Sequence, residues 1–170
     1  DVIKDLNTIL QVRGQLIEKN EKIVLSEIVA SIEESNRTIM ETNEVTIQTY
    51  FTAISEINSI KSYIYSIFYN LILNSIKYRQ TEIKPVIEIR TELTYDKKII
   101  KFKDNGIGFN MNQNKDNIFG LYKRFNPEIE GKGVGLYMVK MQVESLGGKI
   151  TLNSELGNGS EFIIEFNRTK

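Results

Sequence analysis

The segment that most constrains this chain is Ser66-Ile-Phe-Tyr-Asn70-Leu-Ile-Leu-Asn74-Ser-Ile-Lys77-Tyr78-Arg79. Side chains three and four apart share one face of a helix, so Asn70, Asn74 and Lys77 form a column with Ser66 one turn above it. Ile60, Ile64, Ile67, Phe68, Leu71, Ile72, Leu73 and Ile76 cover most of the remaining circumference, the pattern of a helix buried nearly all round. A solvated stripe would normally use Glu, Lys or Gln, because Asn is the poorer helix former and competes for backbone hydrogen bonds. Two amides in one column therefore point to a ligand. The alternative is a weakly amphipathic core helix with incidental amides.

Composition narrows what that ligand site can be. With 170 residues the chain suits one globular domain with a substantial core, plus an appended helix. Lys plus Arg and Asp plus Glu each number 22, so no overall basic field argues for nucleic acid or an anionic membrane, and a polyanion must be bound locally. The chain contains no Cys, which removes disulfides and thiol chemistry, and no His, which removes Ser-His-Asp catalysis, His-ligated metals and phosphohistidine within these residues. No apolar run reaches membrane-spanning length, and the start at Asp1 reads as that of an excised piece.

Ile3, Leu6, Ile9 and Leu10 give helical spacing up to about Glu18, either the end of a longer helix or an ordinary docking helix. Lys22 to Leu25 reads as a strand, and a helix to about Met40 follows with Ser26 as candidate N-cap. Val45 to Phe51 is a β-branched and aromatic strand, and the organising helix runs from about Lys61 to Arg79. Val86 to Leu93 alternates, with Ile87, Ile89 and Leu93 expected inside. Lys98 to Asp104 alternates too and turns Asp104 to the core side, where a carboxylate needs hydrogen-bond donors. The glycines of Asn105-Gly106-Ile107-Gly108 would let a planar ligand approach the backbone, although Asp-Asn-Gly is also a common turn.

Phe109 to Glu130 is the longest irregular stretch, of a length that is usually a functional lid or disordered, and Phe119 and Tyr122 are expected to anchor its second half. Gly131-Lys132-Gly133-Val134-Gly135 then opens a helix running to about Leu146, which Gly147-Gly148 stops. Glycines at a helix start leave free N–H groups at the positive dipole end, a physical site for phosphate. The P-loop ending and the dinucleotide spacing are both missing. Lys149 to Asn153 and Glu161 to Phe166 close the chain as strands around the turn Gly157-Asn158-Gly159-Ser160.

In this order the pieces resemble one family. Asn70-Leu-Ile-Leu-Asn74-Ser-Ile-Lys77-Tyr78 is similar to the N box of bacterial sensor histidine kinases, Asp104-Asn-Gly106-Ile-Gly108 to the G1 box, and Ile118-Phe119-Gly-Leu-Tyr122-Lys-Arg124 to the F box. Gly131-Lys-Gly133-Val-Gly135-Leu resembles the G2 box, and Gly157-Asn-Gly159-Ser160-Glu-Phe162 the last glycine box. The likeness covers roughly Lys22 to Phe166. Residues 1–20, including Asp5 to Leu10, look like the end of the dimerisation and phosphotransfer hairpin, with 21–170 as the catalytic domain and its lid at about 109–132.

The resemblance implies an α+β two-layer sandwich of the Bergerat type, a mixed and mostly antiparallel sheet backed by helices, with an N-terminal helical stub. It implies ATP and Mg²⁺ as cofactors. Asp104 would accept from the adenine amine, aided through water by Ser160, while Gly106 and Gly108 let the ring approach. Asn74 would ligate Mg²⁺ and Asn70 would line the phosphate channel. Lys77, Tyr78 and Arg124 would contact the phosphates, Phe119 would sit in the lid, and Gly131, Gly133 and Gly135 would hinge it and present N–H groups. Asn70, Lys77 and Arg124 are the expected catalytic residues.

The implied reaction is phosphoryl transfer from ATP to a His on an upstream dimerisation domain, in a homodimer that signals to a response regulator receiver domain. Nucleic acid is not an expected partner. The implied setting is cytoplasmic, with membrane anchoring of the parent left open. Two departures stand out: no acceptor His is present, and Lys132 replaces the more usual small residue of the G2 box. Hydrolysing relatives carry Glu where this chain has Asn70, and Asn cannot accept a proton at neutral pH. The alternatives are an ATPase of the wider superfamily or a nucleotide-sensing module without transfer activity.

Overall fold

The computed structural model describes residues 19–110, 118–122 and 133–168. In chain order these form β1 (Glu21–Val24), α1 (Leu25–Ser35), α2 (Arg37–Thr42), β2 (Thr46–Tyr50), β3 (Glu56–Ser59), α3 (Lys61–Lys77), β4 (Val86–Leu93), β5 (Lys97–Asp104), α4 (Gly135–Ser145), β6 (Gly148–Ser154) and β7 (Ser160–Asn167). The expected helix over residues 1–18 lies outside the described residues.

Five strands make one sheet in the order β2-β4-β5-β7-β6. β2 runs parallel to β4, and the other neighbours are antiparallel, which is the expected mixed, mostly antiparallel sheet. One face carries Ile87, Ile89, Ile100, Phe102, Ile150, Leu152, Phe162 and Ile164, and these join Ile28, Ile32, Ile64, Phe68, Leu71, Ile72 and Val139 of the helices in a single core. The opposite face is charged, with ion pairs Lys101–Glu92 at 2.7 Å, Arg90–Glu88 at 2.8 Å and Lys97–Glu165 at 3.1 Å. The period-two alternation of the strands thus produces two layers, one sheet and one layer of helices.

α3 lies across the core face. Phe68 meets Phe102 of β5 edge to face, with ring centroids 4.8 Å apart. Each fully buried side chain of this size contributes roughly 1.5–3 kcal/mol. The helix is thereby fixed on the sheet, and its amide column is held at the edge of the core.

Four expectations change in detail. The helix after β1 begins at Leu25, and its cap position is Val24, so Ser26 is not the N-cap. The leading N–H, that of Leu25, is met by the Ser55 carbonyl at 3.0 Å. The same helix breaks at Asn36, whose Nδ2 donates to Ile32 O at 2.8 Å and so competes with the backbone ladder. Glu56–Ser59 forms a further strand, paired antiparallel with β1. Leu93 is 44% exposed at the end of β4, and the inward position before it is filled by buried Thr91, whose Oγ1 accepts from Ile54 N and donates to Ile54 O.

Candidate functional site

Asn70, Asn74 and Lys77 lie half-buried along α3. Asn70 Nδ2 donates to Ser66 O at 2.8 Å, which fixes the amide and turns Oδ1 toward the start of α4. There the chain comes so close that a Cβ on Gly135 would sit 2.9 Å from Asn70 Oδ1 and 3.9 Å from Asn74 Nδ2. Val134 caps α4 without a side-chain bond, leaving first-turn N–H groups and the positive dipole end beside two amides. Lys77 Nζ lies 5.1 Å from the centre of the Tyr78 ring, which places a cation at the far end of the same column. Amide oxygens, N–H groups and one ammonium suit phosphate oxygens and a hard cation.

Asp104 ends β5 on the core side, as its strand parity requires. Oδ1 accepts from Gly106 N at 2.9 Å and Ser160 N at 3.2 Å, and Oδ2 accepts from Ser75 Oγ at 3.2 Å. Burial pushes this carboxyl above its ordinary value, and the three donors oppose that shift. Ser160 therefore reaches Asp104 directly through its backbone N–H, while its hydroxyl pairs with Ser154 Oγ at 2.9 Å.

The glycines after Asp104 have reasons internal to the chain. A Cβ on Gly106 would lie 2.5 Å from Tyr78 O, and one on Gly108, at φ +57°, would lie 2.0 Å from Glu155 O. The loop is bound where it passes the end of α3. Ile107 N donates to Tyr78 O, Gly157 N donates to Ile107 O, and Gln80 Nε2 lies within 2.9–3.2 Å of the carbonyls of Asn105, Gly106 and Gly157. Asn105 itself accepts from Val86 N and donates to Lys84 O.

Two groups of expected residues are thus brought together: Asn70, Asn74 and Gly135 in one, and Asp104, Gly106 and Ser160 in the other. Ser75 joins them, next to Asn74 in the chain and bonded to Asp104. Neither Ser75 nor Gln80 stands out in the sequence, because the groups they bond to meet them only in the folded chain. Phe119 packs against the core beside buried Ile118, whereas Tyr122 is 52% exposed with φ +60°, so Ile118 replaces it as an anchor. Gly133 adopts φ +68° just before α4. Arg124, Gly131 and Lys132, with most of the expected lid, lie outside the described residues.

Among the described residues no cluster of His, Cys, Asp and Glu could hold a metal ion. The Asn74 amide would suit Mg²⁺ as one oxygen ligand beside those of a phosphate group, since Mg²⁺ takes few protein ligands in such sites. No helix among the described residues is long and apolar enough to cross a membrane.

The family model for histidine kinase-, DNA gyrase B- and HSP90-like ATPases matches residues 60–170, the stretch that carries every element of this site. The chain belongs to this family. Within the histidine kinase-, gyrase- and HSP90-like ATPases, its similarity runs to sensor kinases. It is 38% identical over 91 residues to the methanogenesis regulatory histidine kinase FilI of Methanothrix harundinacea, an overlap covering 54% of this chain and 10% of that protein. The chain thus spans a small part of the length of the curated relatives it matches. Among solved structures, the Acinetobacter baumannii histidine kinase AdeS superposes with a TM-score of 0.77 at 20% identity, covering 97% of this chain and 76% of that one. The catalytic domain of histidine kinase ThkA gives 0.72 at 20% identity, covering 88% and 95%. These superpositions establish the histidine kinase catalytic-domain fold for this chain.

Proposed function

We propose that this chain is the ATP-binding catalytic part of a sensor histidine kinase and that its cleft positions ATP for transfer of the γ-phosphoryl group to a His on another domain. What carries the reading is the meeting of the α4 N-terminus with Asn70 and Asn74 while the next residue, Ser75, bonds to Asp104. One helix thereby addresses both ends of a nucleotide. Asp104 accepts from the exocyclic amine of adenine, and Gly106 and Ser160 hold its carboxylate in place. Asn74 provides an oxygen for Mg²⁺, which when bound neutralises phosphate charge. Asn70, the first turn of α4 with Gly133 and Gly135, and the Lys77–Tyr78 pair at the end of α3 line the phosphate side.

Positioning and charge neutralisation are most of what phosphoryl transfer asks of a protein. Phe119 packs against the core, while Arg124 and Gly131 enter this reading from their places in the sequence motifs alone. The partners that follow are a His-bearing dimerisation domain, a second copy of the whole kinase and a response regulator receiver domain.

Asn70 separates this reading from an ATPase. An amide cannot take a proton from water at neutral pH, whereas the imidazole of an acceptor His is already nucleophilic. The test supplies the chain with an upstream His-bearing hairpin and ATP labelled at the γ position. Label that is acid-labile and base-stable, and lost in Asn74→Ala, is the expected result. Brisk hydrolysis by the chain alone, or ATP binding without any labelling of the hairpin, would overturn it.

A further inference from the structure

The carboxylate of Asp104 has about four lone-pair positions, and three are occupied. Gly106 N and Ser160 N fill those on Oδ1, and Ser75 Oγ takes one on Oδ2. Counting the bonds among the described residues, Oδ2 is the oxygen that keeps an acceptor position for a ligand. Which way that position points depends on Ser75, because the two backbone donors hold Oδ1 alone.

The Ser75 hydroxyl has one proton and two acceptors in reach, Asp104 Oδ2 at 3.2 Å and Leu71 O at 3.1 Å. A hydrogen bond to an ionised oxygen is roughly twice as strong as a neutral one, so the proton belongs on Oδ2. Ser75 is 5% exposed, and water has little room to replace it. Its backbone lies inside α3, one residue from Asn74, so the hydroxyl is fixed by the same helix that carries the amide column.

We infer that Ser75 is a positioning residue for purine recognition, holding Asp104 Oδ2 so that its remaining lone pair meets a 6-amino purine and disfavours a 6-oxo purine. The inference rests on the adenine reading of Asp104. A 6-amino group brings an N–H donor to that lone pair, whereas a 6-oxo group brings a second acceptor, and two acceptors repel. With the hydroxyl removed, Oδ2 loses the one donor it has among the described residues, and the carboxylate can rotate about the two bonds to Oδ1.

The experiment measures affinity for ATP and for inosine triphosphate, with Mg²⁺, in the unaltered chain, in Ser75→Ala, in Asp104→Ala and in the double variant. Alanine is a good helix former and should leave the fold intact; Ser75→Cys, with a weak donor of similar shape, repeats the comparison. We expect Ser75→Ala to weaken ATP about tenfold, leave inosine triphosphate bound no more weakly than before, and cost nothing further in the Asp104→Ala background. Unchanged ATP affinity, an equal loss for both nucleotides, or a loss that persists without Asp104 would overturn the inference. Unchanged ATP affinity in Asp104→Ala alone would remove the adenine assignment, and this inference with it.

Discussion

The α-carbon of Gly135 faces the Asn70 side chain so closely that a Cβ would lie 2.9 Å from Oδ1. Asn70 has little freedom to yield, since its Nδ2 is committed to Ser66 O at 2.8 Å. In Gly135→Ala two effects compete. Alanine favours the helix by roughly 0.5–1 kcal/mol, and crowding costs roughly 1–3 kcal/mol. The balance is a modest loss of stability, with the larger consequence in the displaced amide. Thermal unfolding should shift by only a few degrees, while ATP affinity measured by calorimetry falls about tenfold. Wild-type affinity in this variant would separate the amide column from the ligand site.

Asp104 should cost stability that its function requires. Its folded value is raised, so between the ordinary value of 3.8 and the raised one the native chain holds more proton than the unfolded chain. Stability therefore falls as pH rises through that interval, and the deficit is complete above it. Asp104→Asn removes the deficit and keeps an oxygen for the N–H groups of Gly106 and Ser160. Urea unfolding should show this variant to be the more stable at neutral pH, with the advantage shrinking as pH is lowered toward 3.8. Lower stability of Asp104→Asn at neutral pH would contradict the burial argument.

Gln142 is 4% exposed in α4, and its Oε1 has no hydrogen-bond partner among the described residues. An unmet buried carbonyl costs about 1–3 kcal/mol. Gln142→Leu, of similar helix propensity, should raise the urea midpoint by the equivalent of about 1 kcal/mol and leave nucleotide affinity unchanged. A lower midpoint would mean that the amide is worth more in place than the apolar group.

The elements that position the site were legible because their patterns are long and regular. α3 shows its apolar circumference and amide column over seventeen residues, and β4 and β5 alternate over eight each. Glu56–Ser59 was not legible, since a four-residue strand with one apolar side chain is a strand only through its pairing with β1. The break at Asn36 depends on a side-chain bond to Ile32 O that periodicity does not register. In the site, Asp104 was readable from strand parity. Its donors were not, because Ser75 and the Ser160 N–H converge on it only once α3 and β7 are folded around β5. Gly106 and Gly108 were readable as positions of close approach, but the groups they approach most closely are carbonyls of the chain itself.

The most direct measurement is a calorimetric titration of the chain with ATP, with and without Mg²⁺, repeated in Asp104→Ala and Asn74→Ala. The account predicts binding that Mg²⁺ strengthens, weaker binding in Asp104→Ala by on the order of 1.5–3 kcal/mol, and loss of the Mg²⁺ effect in Asn74→Ala. Failure of the chain to bind ATP, or binding with the same affinity and the same Mg²⁺ dependence in both variants, would contradict it.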